Sequence, residues 1–285
     1  MFKKKVRIII SLLIILLMCV PSFASEDYQN EVGLITYIDD QGTEVILHPE
    51  SAVEKELKNI SNEEARAKLI ELFSNPAYYE ISSSQIRAFD DSKYLLQIKS
   101  LSKLSTSELD SEISKVVKQI TDDNKTNSNI IWDKFFIDNY VKKYAPNNIK
   151  YLKISNPENI KELNESEIIL RASVRTAEAY IAARNVAGDE LFALRILTQF
   201  GYDGVDVLSL YPQTTGIVYW TGFYSYAGLN MSDSFQKIVS LPGGKVGDIK
   251  KHGLFNKVVP SGTQHIVVYQ EVFGDGTDDY WGESY

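Results

Sequence analysis

The sequence predicts an α+β fold with an N-terminal β-hairpin, a helical middle and a C-terminal third rich in antiparallel strands. Apolar and polar residues alternate on both sides of an early glycine-containing turn, which is typical of a hairpin. Apolar residues then recur at helical spacing. From Tyr211 onward Gly, Tyr, Val and Thr are frequent, with proline and glycine between the apolar runs, as in antiparallel β-structure.

The first elements follow from these periodicities. Leu34–Ile38 and Glu44–Leu47 are the predicted strands of the hairpin. Ser51–Ser74 has the apolar spacing of an amphipathic helix. Because residues 61–64 read Ser-Asn-Glu-Glu, which resembles an internal N-cap, we expect two short helices in this stretch.

The next segments mix the two periods. Ala77–Phe89 and Tyr94–Ile98 have the composition of strands. Ser105–Ile120 returns to helical spacing, with Thr106 or Ser107 as the predicted N-cap.

A polar stretch, residues 121–129, is the predicted linker or mobile loop between two regions. We therefore divide the chain after its leader into an N-terminal α+β region, residues 25–122, and a C-terminal region, residues 130–285, that is helical and then antiparallel β.

The middle of the chain is predicted to be largely helical. Trp132–Tyr144 has helical character, Lys150–Ile154 is extended, and Pro157 opens a long helical zone. Arg171–Ile181 fits an amphipathic helix, although its first half also alternates and a strand remains the alternative. Residues 189–200 predict a buried helix, since they are apolar almost all round.

The first residues have the pattern of a secretory signal peptide. Basic residues precede an apolar run, Ile8–Val20, which is too short to span a membrane, and Ala24 ends a small-residue cleavage site. We expect cleavage near Ala24, which removes residues 1–24 and leaves a secreted, extracellular or cell-wall-associated chain with no membrane span. An uncleaved anchor or a lipoprotein attached at Cys19 is the alternative, but Met18 is large where a lipoprotein signal has a small residue.

Composition narrows the class further. Cys19 is the only cysteine, so the mature chain has no disulfide and no thiol nucleophile, which favours a bacterial over an animal secreted protein. Removing the leader takes away four basic residues and no acidic one, so the formal net charge moves from −8 to −12. Without a basic cluster, nucleic acid is not an expected partner. The sequence does not predict the oligomeric state.

Motifs that carry a mechanism are missing from the sequence. It has no nucleophile elbow, no zinc-protease motif and no dinucleotide or phosphate loop, and the glycines of residues 241–248 lack the spacing of a phosphate loop. His48, His252 and His265 stand in three unrelated contexts, so we predict structural histidines, no metal site and no cofactor.

Carboxylates are the remaining candidates for catalysis. Glu271 lies inside an apolar run, where burial would raise its pKa. The alternative is that it points outward from a strand whose inner face carries Val268, Gln270 and Val272. The acidic pairs are candidates by residue type alone: Asp90-Asp91, Asp122-Asp123 and Asp278-Asp279.

The last acidic loop has two interpretations. Asp275, Thr277 and Asp279 have the alternate spacing of calcium ligands, but the sequence printed here has no glutamate at the twelfth loop position. We favour a β-hairpin with a tight turn at Gly274-Asp275-Gly276.

Aromatic residues suggest a binding surface. On a strand through residues 216–229, Trp220, Tyr224 and Tyr226 would share one side and form a row long enough to contact more than one unit of an extended polymer. The alternative is that these aromatic side chains are buried on both faces of the sheet.

Two classes of function remain. We predict a secreted bacterial binding or interaction protein that recognises a cell-surface glycan or a protein partner. A secreted hydrolase that uses carboxylates and no metal is the alternative, and a toxin or its neutralising partner is not distinguishable from a binding protein by sequence. Catalytic residues are not identified.

Overall fold

The computed structural model describes residues 33–81, 92–126, 130–154, 173–258 and 261–285. The described residues from Ile35 to Tyr285 belong to one compact unit, which contains both sheets described below. The predicted signal peptide and the helical zone predicted from Pro157 to residue 172 lie outside the described residues. In the rest of the chain helices and sheets are combined, in agreement with an α+β class.

The N-terminal elements begin with strands β1 (Ile35–Ile38) and β2 (Glu44–Leu47), which pair antiparallel. Helices α1 (Ala52–Asn59) and α2 (Glu63–Ser74) follow, as the internal cap predicted. Asn62 is that cap, because its Oδ1 accepts a hydrogen bond from Ala65 N at 3.0 Å.

One predicted strand is a helix. β3 (Tyr78–Ile81) is followed by α3 (Ser92–Leu101), so the strand predicted at Tyr94–Ile98 is wrong. Tyr94, Ile98 and Leu101 follow one another at helical spacing and are all buried, so the run uses the helical period.

The next helix, α4, spans Thr106–Asp123, so its N-cap lies one residue before the predicted pair Thr106 and Ser107, and that cap prediction is wrong. Ser105 is the cap, and its backbone N–H donates to Glu108 Oε2 at 2.9 Å. The helix continues into the polar stretch and a 3-10 turn, Asn124–Thr126, follows it.

A short strand and an irregular helical segment come next. They are β4 (Ile130–Ile131), α5 (Lys134–Phe136), a π-helix (Ile137–Val141) and α6 (Lys142–Tyr144). A 3-10 helix, Pro146–Tyr151, covers the start of the segment predicted to be extended.

Three long strands follow, and the first two lie in segments that were predicted to be helical. β5 (Ser173–Arg184), β6 (Glu190–Tyr202) and β7 (Val207–Val218) are neighbours in one antiparallel arrangement. The amphipathic helix predicted at Arg171–Ile181 is wrong over its described part, residues 173–181, which lies in β5; the strand alternative covered only the first half of that stretch. For β6 the buried helix predicted at residues 189–200 is wrong, because a strand covered on both faces is as continuously apolar as a buried helix.

The larger sheet has seven strands in the order β1-β2-β7-β6-β5-β3-β4. It is mixed, since β2 runs parallel to β7 while the other neighbours are antiparallel.

The second sheet is antiparallel and contains the C-terminal strands. They are β8 (Tyr224–Leu229), β9 (Phe235–Leu241), β10 (Gly244–Lys257), β11 (Gly262–Val272) and β12 (Asp278–Ser284). The order is β12-β11-β10-β8, and β9 pairs with the first half of β10.

The two sheets pack face to face, and glycines allow their close approach. A Cβ on Gly282 would lie 1.7 Å from Ile181 Cδ1, and one on Gly253 would lie 3.0 Å from Leu194 Cδ1. Aromatic rings fill the rest of this layer, with Phe192 stacked on Phe255 at 4.5 Å between centroids.

The helices contact the sheets at one end of the long strands. The amide of Asn185, in the turn after β5, donates to Phe73 O at 2.7 Å. Gly222 N, in the turn after β7, donates to Glu54 Oε1 of α1 at 2.9 Å. Both turns are therefore held by helical residues.

Candidate functional site

The aromatic residues singled out from the sequence lie mainly in the core. Trp220 is 0% and Tyr224 1% exposed, whereas Tyr226 is partly buried with its ring edge against Phe255. β7 ends at Val218 and residues 219–223 form a turn, so the strand alternation that would have exposed a row does not continue. A solvent-facing row of Trp220, Tyr224 and Tyr226 is therefore not formed, and the burial alternative describes the first two.

Local contacts explain this burial. Trp220 N donates to Leu191 O at 3.3 Å, which turns the chain back over the start of β6. The Tyr224 hydroxyl donates to Ser74 O at the end of α2. Both rings fill the space between the sheets and the helices.

The second sheet also has an outer face, directed away from the larger sheet. Inward positions carry Ile249, Val268 and Val272, which are all 0% exposed. The intervening positions include Lys250, Tyr269 and Trp281, which are partly exposed, and Val267 and His252, which are buried. Val268, Gln270 and Val272 face inward, so Glu271 points outward from β11, which is the second of the two interpretations given for it above.

An aromatic row crosses four strands of this face. In direct register, Phe235 of β9 faces Lys250 of β10, Lys250 faces Tyr269 of β11, and Tyr269 faces Trp281 of β12. The Tyr269 and Trp281 rings stack with centroids 5.3 Å apart and planes at 5°. Lys250 Nζ lies 5.4 Å from the Tyr269 centroid, a cation–π distance. We call these four residues the aromatic row.

A histidine cluster lies beside this row and consists of Asp233, His252, His265 and Tyr285. His252 Nδ1 is 2.8 Å from Asp233 Oδ2, and His252 Nε2 is 2.8 Å from His265 Nδ1. The Tyr285 ring stacks on His265 with centroids 4.7 Å apart. Two of the three histidines thus meet, although their sequence contexts are unrelated.

The carboxylate of Asp233 determines which ring nitrogens of the histidine cluster carry a proton. An ionised Asp233 only accepts, so His252 carries its proton on Nδ1 and accepts through Nε2 from the Nδ1–H of His265. The two ring centroids are 5.1 Å apart, about as far as the 2.8 Å contact allows, so the nitrogens face each other head-on. In this geometry a single proton lies between His252 Nε2 and His265 Nδ1 and can be shared by both nitrogens. The lone pair of His265 Nε2 is left as the acceptor, and burial together with His252 lowers the pKa of His265.

Lys250 joins the row to the cluster. Its Nζ is 2.5 Å from Asp233 Oδ1, and this hydrogen bond lowers the pKa of Asp233. The same carboxylate therefore holds both a lysine and a histidine in place. Farther along the row, the hydroxyl of Tyr269 on β11 donates to Oε1 of Glu283 on β12 at 3.1 Å.

A row of carboxylates runs along the other side of the aromatic row. Asp248, Glu271 and Asp279 are direct register neighbours on β10, β11 and β12. Burial and the charges of Asp248 and Asp279 raise the pKa of Glu271. Lys237 ends the row with an ion pair to Asp248 at 3.2 Å.

The acidic loop forms the predicted hairpin turn between β11 and β12. Thr277 N and Thr277 Oγ1 donate to Asp275 Oδ1 at 2.9 and 2.6 Å, and Gly276 has a φ of 87°. Asp279 Oδ1 accepts from Tyr280 N at 2.9 Å. Among the described residues no three His, Cys, Asp or Glu side chains are grouped so that they could hold a metal ion.

His48 lies elsewhere, in the loop after β2. It is 2% exposed and stacks on Tyr219 with centroids 4.4 Å apart. Its Nε2 is buried and has no hydrogen-bond partner among the described residues, and burial lowers the pKa of His48 from 6.5 to about 4.

Sequence reasoning missed the aromatic row and the histidine cluster. The available signal was alternation along β11, where His265, Val267, Tyr269 and Glu271 share one face. The partners from β9, β10 and β12 could be added only once strand register was known.

No family profile, curated protein or solved structure matches this chain. Among the described helices none combines the length and the apolar character that crossing a membrane requires.

Proposed function

We propose that this chain is a secreted bacterial binding protein and that the outer face of its second sheet binds a cell-surface glycan. The observation that carries the proposal is the aromatic row, Phe235, Lys250, Tyr269 and Trp281, in direct register across four strands. With strands ~4.8 Å apart the row spans ~14 Å, enough to contact more than one unit of an extended polymer.

The chemistry of the face favours a hydroxyl-rich polymer. Aromatic rings offer apolar contact to the C–H faces of sugar rings, while tyrosine and tryptophan keep a polar edge in water. The carboxylates of Asp248, Glu271 and Asp279 flank the row and accept hydrogen bonds from hydroxyls. Lys250 and Tyr269 are already held by Asp233 and Glu283, so little side-chain entropy is lost on binding.

The test is a pull-down of the purified mature chain on insoluble bacterial cell-wall polysaccharide. We expect Tyr269→Ala and Trp281→Ala each to weaken binding ~10-fold or more, because a central aromatic contact is typically worth over 1 kcal/mol. The matched control is Tyr211→Ala, which removes a 65% exposed tyrosine of the larger sheet. Equal loss in the control, or parent-like binding by both row variants, contradicts the proposal.

Secretion is tested separately. Expression of the full chain in a Gram-positive host should release a product whose N-terminus is Ser25 or within a few residues of it. Recovery of the intact chain in the membrane fraction would instead support an uncleaved anchor.

The carboxylate row favours a second candidate function, glycan hydrolysis. Glu271 combines a raised pKa with carboxylates on both neighbouring strands, as an acid catalyst requires. Release of reducing ends from the bound polysaccharide, abolished by Glu271→Gln with binding retained, would establish it. Binding without release assigns the chain to the binding class alone.

A further inference from the structure

A buried amine lies at the far end of β10 from the carboxylate row. Lys257 is 6% exposed, and its Nζ is 5.8 Å from the centroid of the Phe135 ring. Within the part of the chain that the structure describes, this ammonium has no ion pair and no hydrogen bond. A lysine in such surroundings is unusual, because buried charges are normally paired.

Two carboxylates lie near the amine without pairing with it. Burial lowers the pKa of Lys257 to about 8, and the charges of Glu71 and Asp133 only partly offset this effect. Burial also raises the pKa of Asp133, which is 4% exposed and accepts a hydrogen bond from Phe136 N at 3.0 Å. Both groups are thus shifted toward their neutral forms.

Unsatisfied polar atoms lie beside the same carboxylate of Glu71. Asn75 is 1% exposed, and neither its Oδ1 nor its Nδ2 makes a hydrogen bond in the described structure. The Tyr140 hydroxyl, whose pKa is raised by burial and by Glu71, lies next to the side chains of Glu71 and Asn75 but has normal hydrogen-bond geometry to no described residue. Leaving such groups unpaired costs about 1–3 kcal/mol each, which a bound polar molecule would offset.

The backbone at this place is also irregular. Tyr140 belongs to the π-helix Ile137–Val141, and single turns of π-helix are frequent at functional sites. Asp133 is the N-cap of α5, just before that turn. The group formed by Lys257, Asp133, Glu71, Asn75 and Tyr140 therefore involves α2, the π-helix and the end of β10.

We propose that Lys257 is a reactive amine that forms an imine with the aldehyde or ketone group of a small polar compound, which Asn75 and Tyr140 hold by hydrogen bonds. The site shares no residue with the outer face of the second sheet, so the proposal does not depend on glycan binding. Desolvated lysines are the usual amines of imine chemistry in proteins.

The reaction balances without an added oxidant or reductant. The Nζ lone pair attacks the carbonyl carbon, and the carbonyl oxygen takes up a proton to give a carbinolamine. The C–O bond then breaks, the oxygen leaves as water with a second proton, and the nitrogen loses its remaining protons to give C=N. Asp133, one of the two carboxylates near the amine, can pass these protons between nitrogen and oxygen.

The experiment incubates the full mature chain with pyruvate at pH 7, traps the imine with cyanoborohydride and locates the label by peptide mass mapping. A pKa about 8 instead of the usual 10.4 makes the neutral amine roughly 100-fold more abundant. We therefore expect Lys257 to label at least ~10-fold faster than Lys245, whose side chain is 50% exposed. Labelling of Lys257 no faster than Lys245 overturns the proposal.

Variants separate a built site from a lysine that is merely reactive. Tyr140→Phe and Asn75→Leu should slow pyruvate labelling of Lys257 ~10-fold while leaving its methylation by formaldehyde and cyanoborohydride unchanged, because formaldehyde needs no polar contact. Unchanged pyruvate labelling in both variants contradicts the binding role of these residues. Tyr140→Phe removes one oxygen only, so it preserves the fold if the larger change does not.

Discussion

Two groups of aromatic residues in the C-terminal third differ in their burial. Trp220 and Tyr224 belong to the turn and strand after β7 and are almost completely buried. Tyr269 and Trp281 lie on β11 and β12 and are partly exposed on the outer face of the second sheet. Residue type is the same in both groups, so the difference comes from strand direction and from what each face packs against.

The largest expected effect separates these groups by stability. Trp220→Ala and Tyr224→Ala should each lower the free energy of unfolding by ~3–5 kcal/mol, since both remove a fully buried ring. Tyr269→Ala and Trp281→Ala should each lower the free energy of unfolding by ~1 kcal/mol or less, apart from the loss of the stacking contact between these two rings. Urea denaturation measures all four, and equal losses would contradict the contrast.

A second prediction concerns the loss of stability at acid pH that His48 causes. His48 titrates near 6.5 when unfolded and at about 4 when folded, so below pH 6.5 the unfolded state binds a proton that the folded state does not. Stability therefore falls as pH drops from 6.5 to 4, by ~3 kcal/mol at ~1.4 kcal/mol per pKa unit.

The variant His48→Phe should remove this part of the acid sensitivity while keeping a ring against Tyr219. His265→Phe on the outer face should remove less, because the pKa of His265 is lowered in a partly exposed position. Denaturation curves at pH 7, 5.5 and 4 give the comparison. A larger effect from His265 would mean that the outer face is the more deeply buried of the two regions.

The packing of the inner face is tested at a glycine. A Cβ on Gly282 would meet Ile181 Cδ1 at 1.7 Å and Val267 O at 2.7 Å, so Gly282→Ala should cost ~1–3 kcal/mol. Gly262→Ala is the control, because no atom of the described residues lies within 4 Å of a Cβ there. Similar melting temperatures for the two variants would argue against close contact of the sheets at Gly282.

The smallest effect concerns the acidic turn. Asp275→Ala removes the acceptor of two Thr277 hydrogen bonds and should cost about 1 kcal/mol. Millimolar calcium should leave the melting temperatures of the parent and of Asp275→Ala unchanged. Stabilisation of the parent alone would favour the ligand interpretation of this loop.

Short-range chemistry explains what the sequence predicted well. Apolar periodicity located α1, α2 and α4, and the internal cap separated α1 from α2, because a helix start depends on a side chain and a backbone N–H a few residues apart. Glycine and aspartate placed the turn between β11 and β12 for the same reason.

Only the tertiary structure decided the remaining questions. An apolar run such as residues 190–202 fits a buried helix or a buried strand equally well, and its neighbours β5 and β7 made it a strand. The aromatic row, the meeting of His252 with His265, and the isolation of Lys257 depend on residues far apart in sequence. The sequence alone determined which side chains are available; strand register and packing determined which of them meet, because both arise from long-range contacts that no local pattern encodes.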